Sequence, residues 1–158
     1  MIYFHPKQKG VAAVEFGLIF LPLFLLLYGL LTYSLIFAVQ HSLVLAASEG
    51  GRAAVRFVSA ADTVEVRKNS ACFEIMKSLG WLKGVVGDFS CTESGGGGSG
   101  VEIKLNDGFC AQAVGDSKCL ETLINYDYKN NPIIPSIGLF PVPEKLSGKS
   151  FIRFSLSY

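Results

Sequence analysis

GVAAVEFGLIFLPLFLLLYGLLTYSLIFAV, residues 10–39, decides how this chain is built. From Phe16 to Val39 no residue carries a formal charge. At about 1.5 Å per residue, a helix of that length spans roughly 36 Å and crosses a hydrocarbon core of about 30 Å with some tilt. A removable secretory signal is the competing reading, but its apolar region runs only about 7–15 residues. Ala46-Ala47-Ser48, which imitates a signal-peptidase site, also stands far from the start. The stretch therefore reads as a retained transmembrane helix, with Pro22 and Gly29 permitting a kink. One residue is out of keeping with lipid: the carboxylate Glu15 at the head of the run.

Flanking charge gives the orientation. Lys7 and Lys9 precede the span with His5 beside them, whereas Glu49, Arg52 and Arg56 follow at greater distance and partly cancel. The positive-inside rule then places the short N-terminus in the cytoplasm. Cysteine usage agrees with this. Cys72, Cys91, Cys110 and Cys119 all follow the span, without a Cys-x-x-Cys pair or a neighbouring histidine to suggest a metal site. Two disulfides in an oxidising space are the simplest account, placing residues 42–158 outside the cytoplasm. The local pairing, Cys72–Cys91 with Cys110–Cys119, is favoured among three; the sequence leaves the choice open, and four buried free thiols are the plain alternative.

Half of the 158 residues are apolar and 17% are charged, with the apolar excess gathered near the N-terminus. A net charge of +1 without a basic stripe argues against nucleic acid as a partner. Beyond the span, Leu43, Ala46, Ala47, Gly50, Ala54, Phe57 and Val58 continue at helical spacing, with Arg52 and Arg56 on another face. The helix is thus expected from about Val11 to about Ala61, half in lipid and half packed against an outer domain. Gly50-Gly51 weakens its middle by about 1 kcal/mol per glycine and suggests a bend. Asp62-Thr63-Val64-Glu65 has the form of a capping box and predicts a second helix ending near Gly84, with Cys72, Phe73, Met76 and Leu79 on its apolar face.

The period then changes to two. Val101, Ile103 and Leu105, then Leu120, Thr122, Ile124, Tyr126 and Tyr128, then Ile152, Phe154, Leu156 and Tyr158 each alternate with polar residues, as half-buried antiparallel strands do. Val85 to Cys91 is a weaker fourth candidate. Gly95-Gly96-Gly97-Gly98-Ser99-Gly100 lacks the Gly-Lys-Ser/Thr ending of a phosphate cradle and reads as a flexible hairpin connection. The stretch from Lys129 to Lys149 carries Pro132, Pro135, Pro141 and Pro143 among Ile133, Ile134, Ile137, Leu139 and Phe140. It reads as a long loop lying across the domain as a lid, or as a partner contact.

Residue chemistry weighs against an enzyme. His5 precedes the span and His41 sits at its outer edge, so neither can orient a nucleophile in the outer domain. Asp88, Asp107, Asp116 and Asp127 recur near expected turns, where aspartate bonds the backbone. No calcium-loop pattern is present, and no metal or cofactor is expected. Glu15 has a plain explanation, the positive end of the helix dipole, worth about 0.3–1 kcal/mol. It also has a sharper one: ionisable groups in membrane helices usually have a partner. A cut after Gly10 would expose the α-amino group of Val11 on a neighbouring subunit, with Glu15 as the fifth mature residue.

Gly10-Val11-Ala12-Ala13-Val14-Glu15-Phe16, behind a short basic leader and ahead of Pro22, resembles a class III signal cut by a prepilin peptidase. It is similar to the TadE-like pseudopilins of tight-adherence pili, and Ala46-Ala47-Ser48-Glu49-Gly50-Gly51-Arg52-Ala53-Ala54 resembles that family's pattern after its membrane helix. The resemblance covers roughly residues 7–57; Gly17 stands where alanine is more usual, and the cysteine-bearing half matches no motif. It implies a non-enzymatic minor pilin or pseudopilin, with Gly10 and Val11 as the processing pair and Glu15 and Phe16 in assembly. It implies the membrane, the prepilin peptidase, the major pilin, other pseudopilins and the pilus assembly platform as partners. The implied location is the bacterial inner membrane, single-pass, N-terminus cytoplasmic and C-terminal domain periplasmic, with incorporation into a pilus open. Small residues Ala12, Ala13 and Gly17 would let sister helices approach closely. A minor pseudopilin of a type II secretion machine is the near alternative; a membrane-anchored periplasmic binding module or enzyme is the distant one. The expected architecture is α+β: a leader at 1–10, a transmembrane helix at 11–40, and a periplasmic domain at 41–158 with a second helix and an antiparallel sheet of about four strands.

Overall fold

A computed structural model of the chain describes residues 10–56, 63–92, 94–109, 117–135, 138 and 140–155. The chain divides into two units, Met1–Ile36 and Phe37–Tyr158. Helix α1, Val11–Val55, runs from the first into the second, with Pro22 inside it and not ending it. The helix, expected to reach about Ala61, ends at Val55 with Arg56 in a bend, and residues 57–62 lie outside the described residues.

Over its first turns, up to Phe24, α1 has no dry side; Gly29, Thr32 and Ile36 are buried further along. Leu18, Ile19, Phe20 and Leu21 are 74%, 67%, 49% and 64% exposed, and at 100° per residue these four cover the whole circumference. An apolar helical stretch of that length, with none of its most apolar window buried, is a candidate membrane span.

The second unit is built from the later turns of α1, from α2 (Val64–Ser78) and α3 (Gly80–Val86), and from a five-stranded antiparallel meander in the order β1-β2-β3-β4-β5. The strands are Ser90–Thr92, Gly95–Gly98, Val101–Phe109, Ser117–Asp127 and Lys145–Ser155. Leu43, Ala46, Ala47 and Ala54 of α1, Ala71 and Ile75 of α2, Leu79, and Leu82 of α3 are fully buried, as are Leu120, Ile124 and Tyr126 of β4. Each large apolar side chain so buried contributes about 1.5–3 kcal/mol. The alternations predicted for β3 and β4 hold: Val101, Ile103 and Leu105 face inward, as do Leu120, Thr122, Ile124 and Tyr126, with Tyr128 buried just beyond the strand. Phe154 is buried in β5; Leu156 and Tyr158 lie outside the described residues.

Small residues explain how α1 fits. A Cβ on Gly148 of β5 would lie 2.2 Å from the Leu43 carbonyl oxygen, and one on Gly50 would lie 2.6 Å from an Ile75 side-chain carbon. Gly50-Gly51 is therefore not a bend: α1 stays helical through it, and the glycines admit α2 on one side and Ser150 and Ile152 of β5 on the other.

Other expectations are corrected. The second helix stops at Leu79 and a short third one follows. Its N-cap is Thr63, whose Oγ1 accepts the Val66 N–H at 3.3 Å; Asp62 lies outside the described residues. Phe73 is 71% exposed, because the inward stripe is Arg67, Ala71, Ile75 and Leu79 at i+4 spacing, with Cys72 beside it. The sheet has five strands, because the glycine run forms β2. Its backbone lies so close to its neighbours that a Cβ on Gly96 would meet the Ser90 carbonyl oxygen at 2.0 Å. Ser99 (φ 46) and Gly100 (φ 79) make the two-residue turn into β3, the positive pair a tight hairpin needs. The proline-rich loop is shorter than expected, since Lys145 to Lys149 belong to β5.

Candidate functional site

At the start of α1, Gly10 sits in a turn and its carbonyl accepts the Val14 N–H at 3.3 Å, the first bond of the helix. Val11 is thus the first helical residue, where unsatisfied N–H groups and the dipole concentrate positive charge. Glu15 follows one turn later and is exposed, and Val11 and Glu15 share a helix face by their i, i+4 spacing. No described residue pairs with the Glu15 carboxylate. Phe16 is 66% exposed and begins an aromatic ladder at the same spacing, with ring centroids 5.4 Å apart to Phe20 and 5.9 Å from there to Phe24. Gly10 thus stands just ahead of one apolar helix, with Val11, Glu15 and Phe16 on its first turns. The basic leader residues His5, Lys7 and Lys9 lie outside the described residues.

The cysteines belong to the second unit. Cys72 of α2 is bonded to Cys91 of β1 with their Cα atoms 5.5 Å apart, the local pairing that spacing favoured. Cys119 is also disulfide-bonded, and Cys110 lies outside the described residues. No group of three metal-ligating side chains occurs among the described residues.

Several structural residues escaped the sequence reading. Arg67 is buried, donates to the Ala54 carbonyl at 2.7 Å and the Val55 carbonyl at 3.4 Å, and lies 4.7 Å from the centre of the Phe154 ring. It neutralises the negative end of α1 and joins α1, α2 and β5. Its only sequence signal is an arginine on the i+4 stripe with Ala71, Ile75 and Leu79. Lys68 pairs with Asp107, which holds that carboxyl below its ordinary range; Asp107 lies in β3, not at a turn. Asp127 does serve a turn, accepting the Asn130 side-chain amide at 2.6 Å, which lowers its pKa. Lys129 and Glu144 close the neck of the proline-rich loop through an ion pair at 2.5 Å and a backbone bond at 3.1 Å.

A hollow of about 360 Å³ is lined by Gly100, Val101, Glu102, Asn125, Asp127 and Lys145. Its two carboxylates are engaged by their own neighbours, Glu102 by Lys104 and Asn125 and Asp127 by Asn130, each held below its ordinary pKa. That is the chemistry of a satisfied surface, whereas a general acid needs a carboxyl pushed upward.

Residues 10–52 match the family model described as TadE-like protein, while residues 53–158 are not matched. The resemblance found in the N-terminal motif is thereby confirmed, and the match supports a protein associated with the tight-adherence pilus. No curated protein and no solved structure is significantly similar to the chain.

Proposed function

On the premise that residues 10–52 are TadE-like, we propose that the chain is a non-enzymatic minor pilin or pseudopilin of a tight-adherence pilus, cut after Gly10 by a prepilin peptidase. The observation that carries this reading is the exposed Glu15, without a described partner, one turn into an all-round apolar helix that begins at Val11. Cleavage gives Val11 a cationic amine at a helix end that already carries about half a positive charge. That amine is poorly placed until a carboxylate meets it. In a medium of low dielectric such a pair is strong, and leaving either member alone is costly. Glu15 of a sister subunit supplies the carboxylate, and sister helices cover the apolar face once the chain leaves lipid.

In this reading the span sits in the bacterial inner membrane with the N-terminus cytoplasmic, and the disulfide-bearing unit lies in the periplasm. The prepilin peptidase, the major pilin, other pseudopilins and the assembly platform are its partners. Glu15→Ala tests the pairing: the variant is expected to be processed normally and to be depleted from sheared pili or from crosslinked complexes with other pilins, while Glu15→Asp retains part of the incorporation. Incorporation of Glu15→Ala at the parental level would overturn the pairing role.

A further inference from the structure

β3, β4 and β5 hold one another by long ladders, with nine residues of β3 paired to β4 and eleven of β4 paired to β5. The β1–β2 hairpin is attached differently. Three residues of β2 pair with β1 and three with β3, and β2 is glycine throughout, so it lays no side chain on either face of the sheet. Glycine also loses more backbone freedom on ordering than any other residue. In β1, Ser90 and Thr92 are exposed. Thr92 Oγ1 donates to the Gly95 carbonyl at 2.7 Å, which closes the hairpin on itself and not onto the sheet. Cys91 ties the hairpin to another element through its covalent bond to Cys72 of α2.

On either side the chain is pinned independently. Phe89, ahead of β1, is buried with the Lys83 ammonium 5.4 Å from its ring centre. Gly100, beyond β2, has its carbonyl bonded by the Asp127 N–H at 2.8 Å. Between these anchors the hairpin covers the Val101–Ile103 end of the outer edge of β3, whose N–H and C=O groups would otherwise be open to strand pairing.

We propose that the Cys72–Cys91 bond is a latch that docks the β1–β2 hairpin over the edge of β3, and that opening it frees residues 90–98 while the helices and β3–β5 stay folded. Closure is thiol–disulfide exchange. One cysteine thiolate attacks the disulfide of an exchange partner, forming a mixed disulfide and expelling one partner thiolate. The second cysteine then attacks the protein sulfur of that mixed bond and expels the other. Two protein thiols become one disulfide as the partner disulfide becomes a dithiol, and a dithiol reductant runs the same two steps in reverse. The latch is a property of the outer unit and stands apart from the pilus assignment.

Hydrogen–deuterium exchange on the detergent-solubilised full chain tests it, comparing the parent with a Cys72→Ser/Cys91→Ser variant that leaves Cys110 and Cys119 in place. Exchange in peptides covering 90–98 is expected to accelerate on the order of a hundredfold in the variant. Peptides covering 120–126 and 146–152 should keep their protection. Dithiothreitol treatment of the parent should reproduce the change at 90–98. Loss of protection throughout the unit would overturn the proposal by making the bond a brace for the whole domain. Unchanged exchange at 90–98 would overturn it by showing the hairpin held without the bond.

Discussion

At the scale of single residues, the packing turns on atoms that are missing or out of place. Gly148 works because it has no Cβ, with α1 backbone where one would stand. Gly148→Ala is expected to cost at least about 1–3 kcal/mol, the range for overpacking, since backbone cannot step aside as a side chain can; the melting temperature of the second unit would report it. Thr122 presents the opposite case. It is fully buried in β4, and its Oγ1 has no hydrogen-bond partner among the described residues. Thr122→Val should stabilise the unit by about 1 kcal/mol, because an unsatisfied hydroxyl gives way to a methyl group of similar size. A lower melting point for that variant would contradict the burial argument. Tyr126 supplies a pH signature. Burial, then the neighbouring Tyr128 and Asp127, push its phenol up to about 12 from 10.0, and its hydroxyl donates to the Asn131 carbonyl. A raised folded pKa favours the neutral form, so this stability is full below pH 10 and lost as pH climbs from 10 through about 12. Tyr126→Phe should flatten that part of the alkaline decline in a pH series of thermal melts.

At the scale of elements, legibility followed the side chains. β3 and β4 were readable because Val101-Ile103-Leu105 and Leu120-Thr122-Ile124-Tyr126 place bulk at every second position. β2 was unreadable for the complementary reason: four glycines carry no period, and their strand state rests on backbone crowding. The first half of β5 was hidden likewise, since its sequence Lys145-Leu146-Ser147-Gly148-Lys149 offers one large apolar residue and a glycine placed for α1. The face of α2 was misjudged because Arg67 belongs to the buried stripe and Phe73 does not. Arg67→Ala is expected to destabilise by about 3–5 kcal/mol, the cost typical of breaking a buried charged contact, because the end of α1 and the Phe154 face lose one shared partner. Arg67→Lys should recover only part, having a point charge in place of a planar fork. Chemical denaturation of both variants would rank them, and equal stability of Arg67→Ala and the parent would contradict the capping role.

At the scale of the whole molecule, one helix carries two kinds of surface. Its early turns show apolar side chains in every direction, and its later turns carry Ala46, Ala47, Gly50, Gly51 and Ala54, small enough to build a domain around. This gives a physical reason why the TadE-like match runs on to residue 52: the match spans both the lipid-suited stretch and the small residues that seat α2 and β5. The N-terminal motif was legible because charge order and spacing carry it, and neither depends on tertiary contacts. What the second unit contacts was not, because several of its surface charges are paired among themselves, as Lys68–Asp107, Lys129–Glu144 and Lys149–Glu121 are.

The central claim is that proteolysis after Gly10 creates the amine that Glu15 awaits. Intact mass spectrometry of the membrane-extracted chain, from cells with and without an active prepilin peptidase, tests it most directly. The account predicts a chain beginning at Val11 only where the peptidase is active, and one retaining the leader where it is not. A mature chain that keeps residues 1–10 in both strains would contradict it.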